Sequence, residues 1–165
     1  MKRDLSFGSL LTTISAAVVG FGGTIYAAFF FLGLSMNSRG EISNPEMLIG
    51  AVGCVLLIVM GLVATILAII GIFKKGKGLA IATLVFQAIL IVSSILAMIS
   101  GFKACAGLAA EELIVYGSTS VLPFVGLFIA HAGAFVLNLF NVLRMKKEVA
   151  PVVEEVKVVE EVKAE

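Results

Sequence analysis

The chain has 165 residues and a formal net charge of +1, with 60% hydrophobic and 14% charged residues. Soluble proteins average about 45–50% apolar and about 25% charged residues, so this composition and a mean hydropathy of +1.13 exclude an ordinary soluble domain. The length allows one compact bundle and a tail but no separate soluble catalytic domain. We therefore expect a lipid bilayer to surround most of the chain.

Four long apolar runs follow one another along the sequence. Each run exceeds the roughly 20 residues that a helix needs to cross a bilayer. None has the period of two that is typical of the short strands of a membrane barrel. The sequence therefore predicts an all-α membrane protein, an antiparallel bundle of four transmembrane helices. The predicted spans cover residues 9–35, 47–73, 78–101 and 118–143.

The first predicted span carries a stripe of small residues. Such residues at every fourth position share one helix face, and in lipid they let two helices approach closely. The stripe consists of Thr12, Ala16, Gly20, Thr24 and Ala28. This run is also far longer than the about 7–15 residues of a cleaved signal core, so we expect it to be retained as an anchor.

Short breaks flank the second predicted span and determine how the helices connect. The break at residues 37–46 contains the pair Asn44-Pro45, which favours a turn before the next helix. The link at residues 74–78 is only a tight turn. The second and third predicted helices must therefore be antiparallel neighbours.

The break before the fourth span, residues 102–117, has a more regular pattern. Its residues 106–116 are rich in helix formers, with apolar and acidic side chains spaced to lie on separate faces. This pattern predicts a short amphipathic helix on the outer surface of the membrane.

The fourth predicted span repeats the small-residue spacing. Gly126, Ala130 and Ala134 recur at every fourth position, followed by Asn138. Two interpretations are open for this ridge and for the one in the first span. The ridges either close the four-helix bundle, or one of them faces a second protomer or a partner subunit.

Polar side chains inside the runs predict an intramembrane polar cluster of Gln87, His131, Asn138 and Asn141. His131, Asn138 and Asn141 share one face of the fourth span, and Gln87 lies near the middle of the third span. Counting from the ends of the predicted runs places Gln87 and His131 within about 3 Å in depth, close enough for a hydrogen bond.

Two roles are open for His131, the one ionisable side chain at depth in the four runs. In the first, a neutral His131 forms hydrogen bonds between helices and fixes their register. In the second, it lines a hydrated path or ligand cavity and changes charge near pH 6.5. Carboxylates are absent from the runs, which argues against a proton-coupled or ion-coupled transporter.

Basic residues predict the orientation of the bundle. Eight Lys and Arg residues flank the spans on one side, against two, Arg39 and Lys103, on the other. Because basic residues are retained in the cytoplasm, we expect both termini to be cytoplasmic, in a protein of the plasma membrane. The eight are Lys2, Arg3, Lys74, Lys75, Lys77, Arg144, Lys146 and Lys147.

The last part of the chain differs in composition from the rest. Residues 148–165 contain the hexapeptide VVEEVK twice in tandem and carry six acidic residues against two lysines. We expect this tail to be either a disordered cytoplasmic segment or a helix with a narrow valine seam. The sequence thus divides into a transmembrane domain, residues 1–147, and an acidic repeat tail.

The sequence contains no motif for catalysis, for a cofactor or for a metal ion. It lacks GxSxG, HExxH and a P-loop, and Cys54 and Cys105 do not form a CxxC pair. We therefore expect a non-enzymatic scaffold, accessory or assembly subunit that contacts a second copy or another membrane protein and binds no nucleic acid. The alternative is a small channel or transport component with a polar path around His131.

Overall fold

The computed structural model describes the backbone of residues 5–74, 76–106 and 108–163 and the side chains of residues 8–71, 73–74, 76–106, 108–118 and 120–144. Five helices make up almost all of this part of the chain, which confirms the all-α prediction. They are α1 (Leu5–Ser35), α2 (Pro45–Phe73), α3 (Lys77–Cys105), α4 (Ala110–Ser120) and α5 (Leu122–Lys163).

Four helical stretches of the described residues are long and apolar enough to cross a membrane. The fourth of them joins α4 to the first half of α5, across the single non-helical residue Val121. The four stretches are Gly8–Ser35, Pro45–Gly71, Lys77–Cys105 and Ala110–Arg144.

The turn between α1 and α2 is held by local hydrogen bonds. The Asn37 side-chain oxygen accepts from the backbone N–H groups of Arg39 and Glu41, both at 2.9 Å. Gly40 has a φ of +78°, a conformation that costs glycine little and other residues more. Pro45 then starts α2, where its missing N–H has no helical partner to lose.

α2 and α3 pack closely through glycines. A Cβ on Gly53 would lie 3.1 Å from the Ser93 carbonyl oxygen, and one on Gly71 would lie 3.6 Å from Leu79. Gly50, near the start of α2, also packs against Ser100, near the end of α3. The end of α2 and the start of α3, which flank the short link, contact each other as well. Glu46, in the first turn of α2, forms an ion pair with Lys103, in the last turn of α3, with 2.6 Å between the Glu46 carboxylate and Lys103 Nζ.

The core lies where α1 and α3 each pack on both α2 and α5. One end of it is apolar and aromatic, with buried Phe31 stacked on Phe124 at a centroid distance of 6.2 Å. α4 packs on α3 and α5, and a Cβ at Gly101 would collide with the Ser120 carbonyl oxygen. A helix is therefore present where the surface helix was predicted, and it begins four residues later than expected, at Ala110.

The acidic tail is part of α5 as far as Lys163. The side chains from residue 145 onward lie outside the described residues, as do the predicted valine seam and the cations Lys75, Lys146 and Lys147. Lys2 and Arg3 also lie outside them.

Candidate functional site

The centre of the polar site is Gln87 of α3, whose side chain is 0% exposed. Its Nε2 donates to Thr13 Oγ1 at 2.9 Å and to Ser9 Oγ at 3.3 Å, both in α1. Its Oε1 accepts from Asn138 Nδ2 of α5 at 3.4 Å. One amide therefore connects three helices.

Ser9 and Asn138 also bond to backbone carbonyl groups of neighbouring helices. Ser9 Oγ donates to the Ala134 oxygen at 2.7 Å, and Asn138 Nδ2 donates to the Ala80 oxygen at 3.0 Å. We call Ser9, Thr13, Gln87 and Asn138 the polar cluster. Each member has protein partners, which avoids the cost of several kcal/mol for an unpaired polar group in an apolar medium. Hydrogen bonds of this kind average about 0.6 kcal/mol in membranes.

The structure does not bring Gln87 and His131 together. Gln87 lies 18 residues before Cys105, the end of α3, whereas His131 lies only 9 residues after Leu122, the start of α5. The predicted runs ended α3 four residues too early and started α5 four residues too early. Asn138, 16 residues after Leu122, therefore takes the depth that was expected for His131.

His131 occupies a separate site between α1, α2 and α5. Its side chain is 2% exposed, and its Nδ1 has no hydrogen-bond partner among the described residues. It lines a cavity of about 20 Å³ with Gly20, Thr24 and Gly61. A cavity of this volume holds about one water molecule or a group of similar size.

Asn141, the fourth residue of the predicted cluster, is one turn beyond Asn138 and half-buried. Its side chain makes no hydrogen bond with a described residue. The predicted cluster thus divides into Gln87 and Asn138, which are hydrogen-bonded to each other, and His131 and Asn141, which form no hydrogen bond with them among the described residues.

Residues of both predicted packing ridges line the seam between α1 and α5. Gly20 packs against Leu127, since a Cβ on Gly20 would lie 2.6 Å from Leu127 Cδ2. Ala16, Thr24 and Ala134 are buried. Ala130 is half-buried, and Gly126 is exposed.

Towards α4 the seam opens into a groove of about 250 Å³. Its lining includes Ala16, Gly20, Gly126 and Ala130 from both ridges. The ridges therefore close the bundle at one end of the seam only and leave it open at the other.

Sequence reasoning missed Ser9 and Thr13. Ser9 was the first residue of the predicted run, where a hydroxyl suggests a boundary residue in water. The available signal was their spacing of four, which places both hydroxyls on one face of a helix. In the structure α1 begins at Leu5, which places both hydroxyls inside the helix and not at its end.

The chemistry of these sites is that of neutral amides, hydroxyls and one imidazole. Cys54 and Cys105 are free thiols, and no group of three or more His, Cys, Asp or Glu residues in the described part of the chain is placed to hold a metal ion. The polar cluster is suited to fixing the register of helices. Comparison of the chain with protein-family models, with curated proteins and with solved structures finds no match.

Proposed function

We propose that this chain is a non-enzymatic scaffold or accessory subunit of a membrane assembly. It acts through contacts between its membrane helices and those of a second copy or of another membrane protein. The four spans form an antiparallel bundle in the plasma membrane, with both termini in the cytoplasm.

The arrangement of the spans and of the charges supports this topology. The glycine contacts pair opposite ends of α2 and α3, and the short link between those helices carries Lys74 and Lys77. Arg144 lies at the far end of the fourth span from Glu111 and Glu112. Basic residues at one end and acidic residues at the other are typical of a cytoplasmic and an outer face.

The observation that carries the proposal is a difference between two outward surfaces of the bundle. The exposed residues in the middle of α2 and α3 are large and apolar: Val55, Val59, Leu62, Ile66, Val85 and Val92. On α1 and α5 the exposed residues include small and polar ones: Ser15, Gly22, Gly23, Tyr26, Gly126 and Gly133. We call these two surfaces the aliphatic face and the small-residue face.

Glycine on the surface of a membrane helix exposes its backbone to whatever lies beside it. A Cβ on Gly22, Gly23, Gly126 or Gly133 would meet no described atom within 4 Å, so no contact in the described part of the bundle accounts for these glycines. Small residues of this kind let a partner helix approach closely and gain dispersion contacts, which are a main source of helix association in lipid.

α1 is also the span that the bundle covers least. In its most apolar 18-residue stretch 17% of the residues are buried, against 33% in α2 and 28% in each of the other two spans. The small-residue face therefore includes the helix with the largest share of surface left for a partner.

The test replaces Gly22 or Gly133 with leucine. Both positions are free of neighbours in the bundle, so the larger side chain is tolerated by the monomer and blocks a partner helix. We expect either substitution to reduce crosslinking to a second copy, or to any other partner, in native membranes by about tenfold, while the amount of inserted protein stays constant.

Gly78→Leu is the matched control, because Gly78 of α3 is also exposed and free of neighbours but lies outside the small-residue face. It should leave crosslinking unchanged. A wild-type chain that stays monomeric in its native membrane, or equal crosslinking in all three variants, would contradict the proposal.

The unpaired Nδ1 of His131 favours a second candidate function, a small channel or transport component. In that case an assembly of several copies conducts a solute past His131, and flux into liposomes depends on pH and falls on His131→Leu substitution. Flux that equals that of protein-free liposomes at every pH argues against this role.

A further inference from the structure

Two adjoining spaces between α1 and α5 differ in chemistry. The cavity beside His131 is small, about 20 Å³, and the groove next to it is about 250 Å³ and opens on the surface of the bundle. Ala16, Gly20 and Leu127 line both of them. The groove thus leads from the outside of the bundle to the wall of the cavity.

The cavity presents two polar side chains in an otherwise apolar lining. His131 Nδ1 is buried and has no hydrogen-bond partner in the part of the chain that the structure describes. The Thr24 hydroxyl donates to the Gly20 carbonyl at 2.7 Å, which leaves its oxygen able to accept. A buried polar atom without a partner is uncommon in folded proteins and indicates a missing hydrogen-bonding group.

The volumes indicate the size of what fits. About 20 Å³ is enough for one hydroxyl-sized group, and about 250 Å³ exceeds the roughly 150 Å³ of an apolar cavity that holds benzene. A polar head in the cavity and a chain of several carbons in the groove would fill both.

The charge of the lining indicates the class of head group. Among the residues that the structure describes, no Lys, Arg, Asp or Glu lines either space. A carboxylate or ammonium head would therefore be buried without a partner of opposite charge, which is costly. A hydroxyl is neutral and can donate to Thr24 Oγ1 while it accepts from His131 in the tautomer that carries its hydrogen on Nδ1.

We propose that these two spaces form a binding site for an uncharged, hydroxyl-bearing apolar molecule that enters from the bilayer between α1 and α5. The hydroxyl donates to Thr24 Oγ1 and accepts from the Nδ1–H group of His131, and the chain lies in the groove along Gly23, Gly126 and Ala130. The groove shares Gly23 and Gly126 with the small-residue face, whereas Gly22 and Gly133 do not line it, so substitutions at Gly22 and Gly133 test the scaffold role separately from this site.

The probe is an eight-carbon alcohol with a photoreactive diazirine group, applied to the full chain in phosphatidylcholine vesicles. We expect labelling to concentrate on peptides of α1 and α5. The eight-carbon carboxylate with the same diazirine should label these peptides at least about tenfold less, because its charge would be buried unpaired.

Three variants separate specific binding from partition into lipid. Gly126→Leu should fill the groove and reduce labelling at least about fivefold, and Gly133→Leu, on the same helix but outside the groove, should not change it. His131→Leu should reduce labelling about fivefold, as expected for one lost hydrogen bond, and His131→Gln should restore part of it. Labelling spread equally over α2 and α3, or unaffected by Gly126→Leu, would overturn the proposal.

Discussion

The aliphatic face of α2 and α3 and the small-residue face of α1 and α5 are built from equally apolar spans but differ in what they offer to their surroundings. The aliphatic face exposes branched side chains over a seam in which glycines are buried, such as Gly50 and Gly53. On the small-residue face, Gly22 and Gly133 point away from the bundle. Under the proposed function, the position of glycine relative to the seam, more than its number, distinguishes a face for lipid from a face for another helix.

The largest effect is expected when leucine replaces a glycine that is buried in the seam between α2 and α3. Gly53→Leu would put a Cβ 3.1–3.3 Å from Ser93, Ala97 and Leu96, two of these contacts being with backbone atoms that cannot move away. We expect a loss of about 3 kcal/mol in the free energy of unfolding, typical of severe overpacking. Reversible unfolding in mixed micelles measures it.

Gly22→Leu is the partner measurement, since its Cβ meets nothing within 4 Å. It should change the free energy of unfolding by less than about 0.5 kcal/mol, as surface substitutions usually do. If both variants were destabilised equally, the distinction between the two faces would be lost.

A smaller effect is expected inside the bundle, at the polar cluster. Gln87→Leu removes three hydrogen bonds to Ser9, Thr13 and Asn138. At about 0.6 kcal/mol for each bond, the bundle should lose about 2 kcal/mol in the same unfolding measurement. Asn141→Leu is the control and should be close to neutral, so an equal loss there would mean that the cluster contributes nothing particular.

The smallest effect should be found at the end of the bundle where Glu46 and Lys103 form a half-exposed ion pair. Glu46→Gln should cost about 0.5 kcal/mol or less in free energy of unfolding, because exposed ion pairs contribute little. The cost should shrink further in 1 M salt, where charges are screened within about 3 Å. A salt-independent cost of 2 kcal/mol would instead give this pair a central role in joining α2 to α3.

The four candidate membrane spans could be predicted from the sequence because high hydropathy over 20 or more residues is a strong signal. The predicted runs at 9–35, 47–73 and 78–101 lie within α1, α2 and α3. The ends of the helices could be predicted less well, because the sequence indicates a break at residues 102–105 whereas the structure continues α3 through them. An error of four residues in a helix end moves every residue about 6 Å in depth, enough to change which side chains meet.

The neighbour that each side chain contacts could be predicted less well than the depth of its residue along the helix. Periodicity identified Gly20 and Gly126 as members of two ridges, but a single sequence does not state which neighbour a ridge meets. The structure shows that Gly20 lies against Leu127 and that Gly126 borders an open groove. The pairing of Gln87 with Ser9 likewise depends on packing between helices that are far apart in the sequence.

The hydrogen bonds of Gln87 also bear on the order in which the chain folds. Its partners lie 78 residues before it in α1 and 51 residues after it in α5. Membrane helices insert first and associate afterwards, so Gln87 lacks its full set of partners until the last span has entered the bilayer. An amide whose hydrogen bonds are completed only in the full bundle makes a prematurely ended chain chemically different from a finished one.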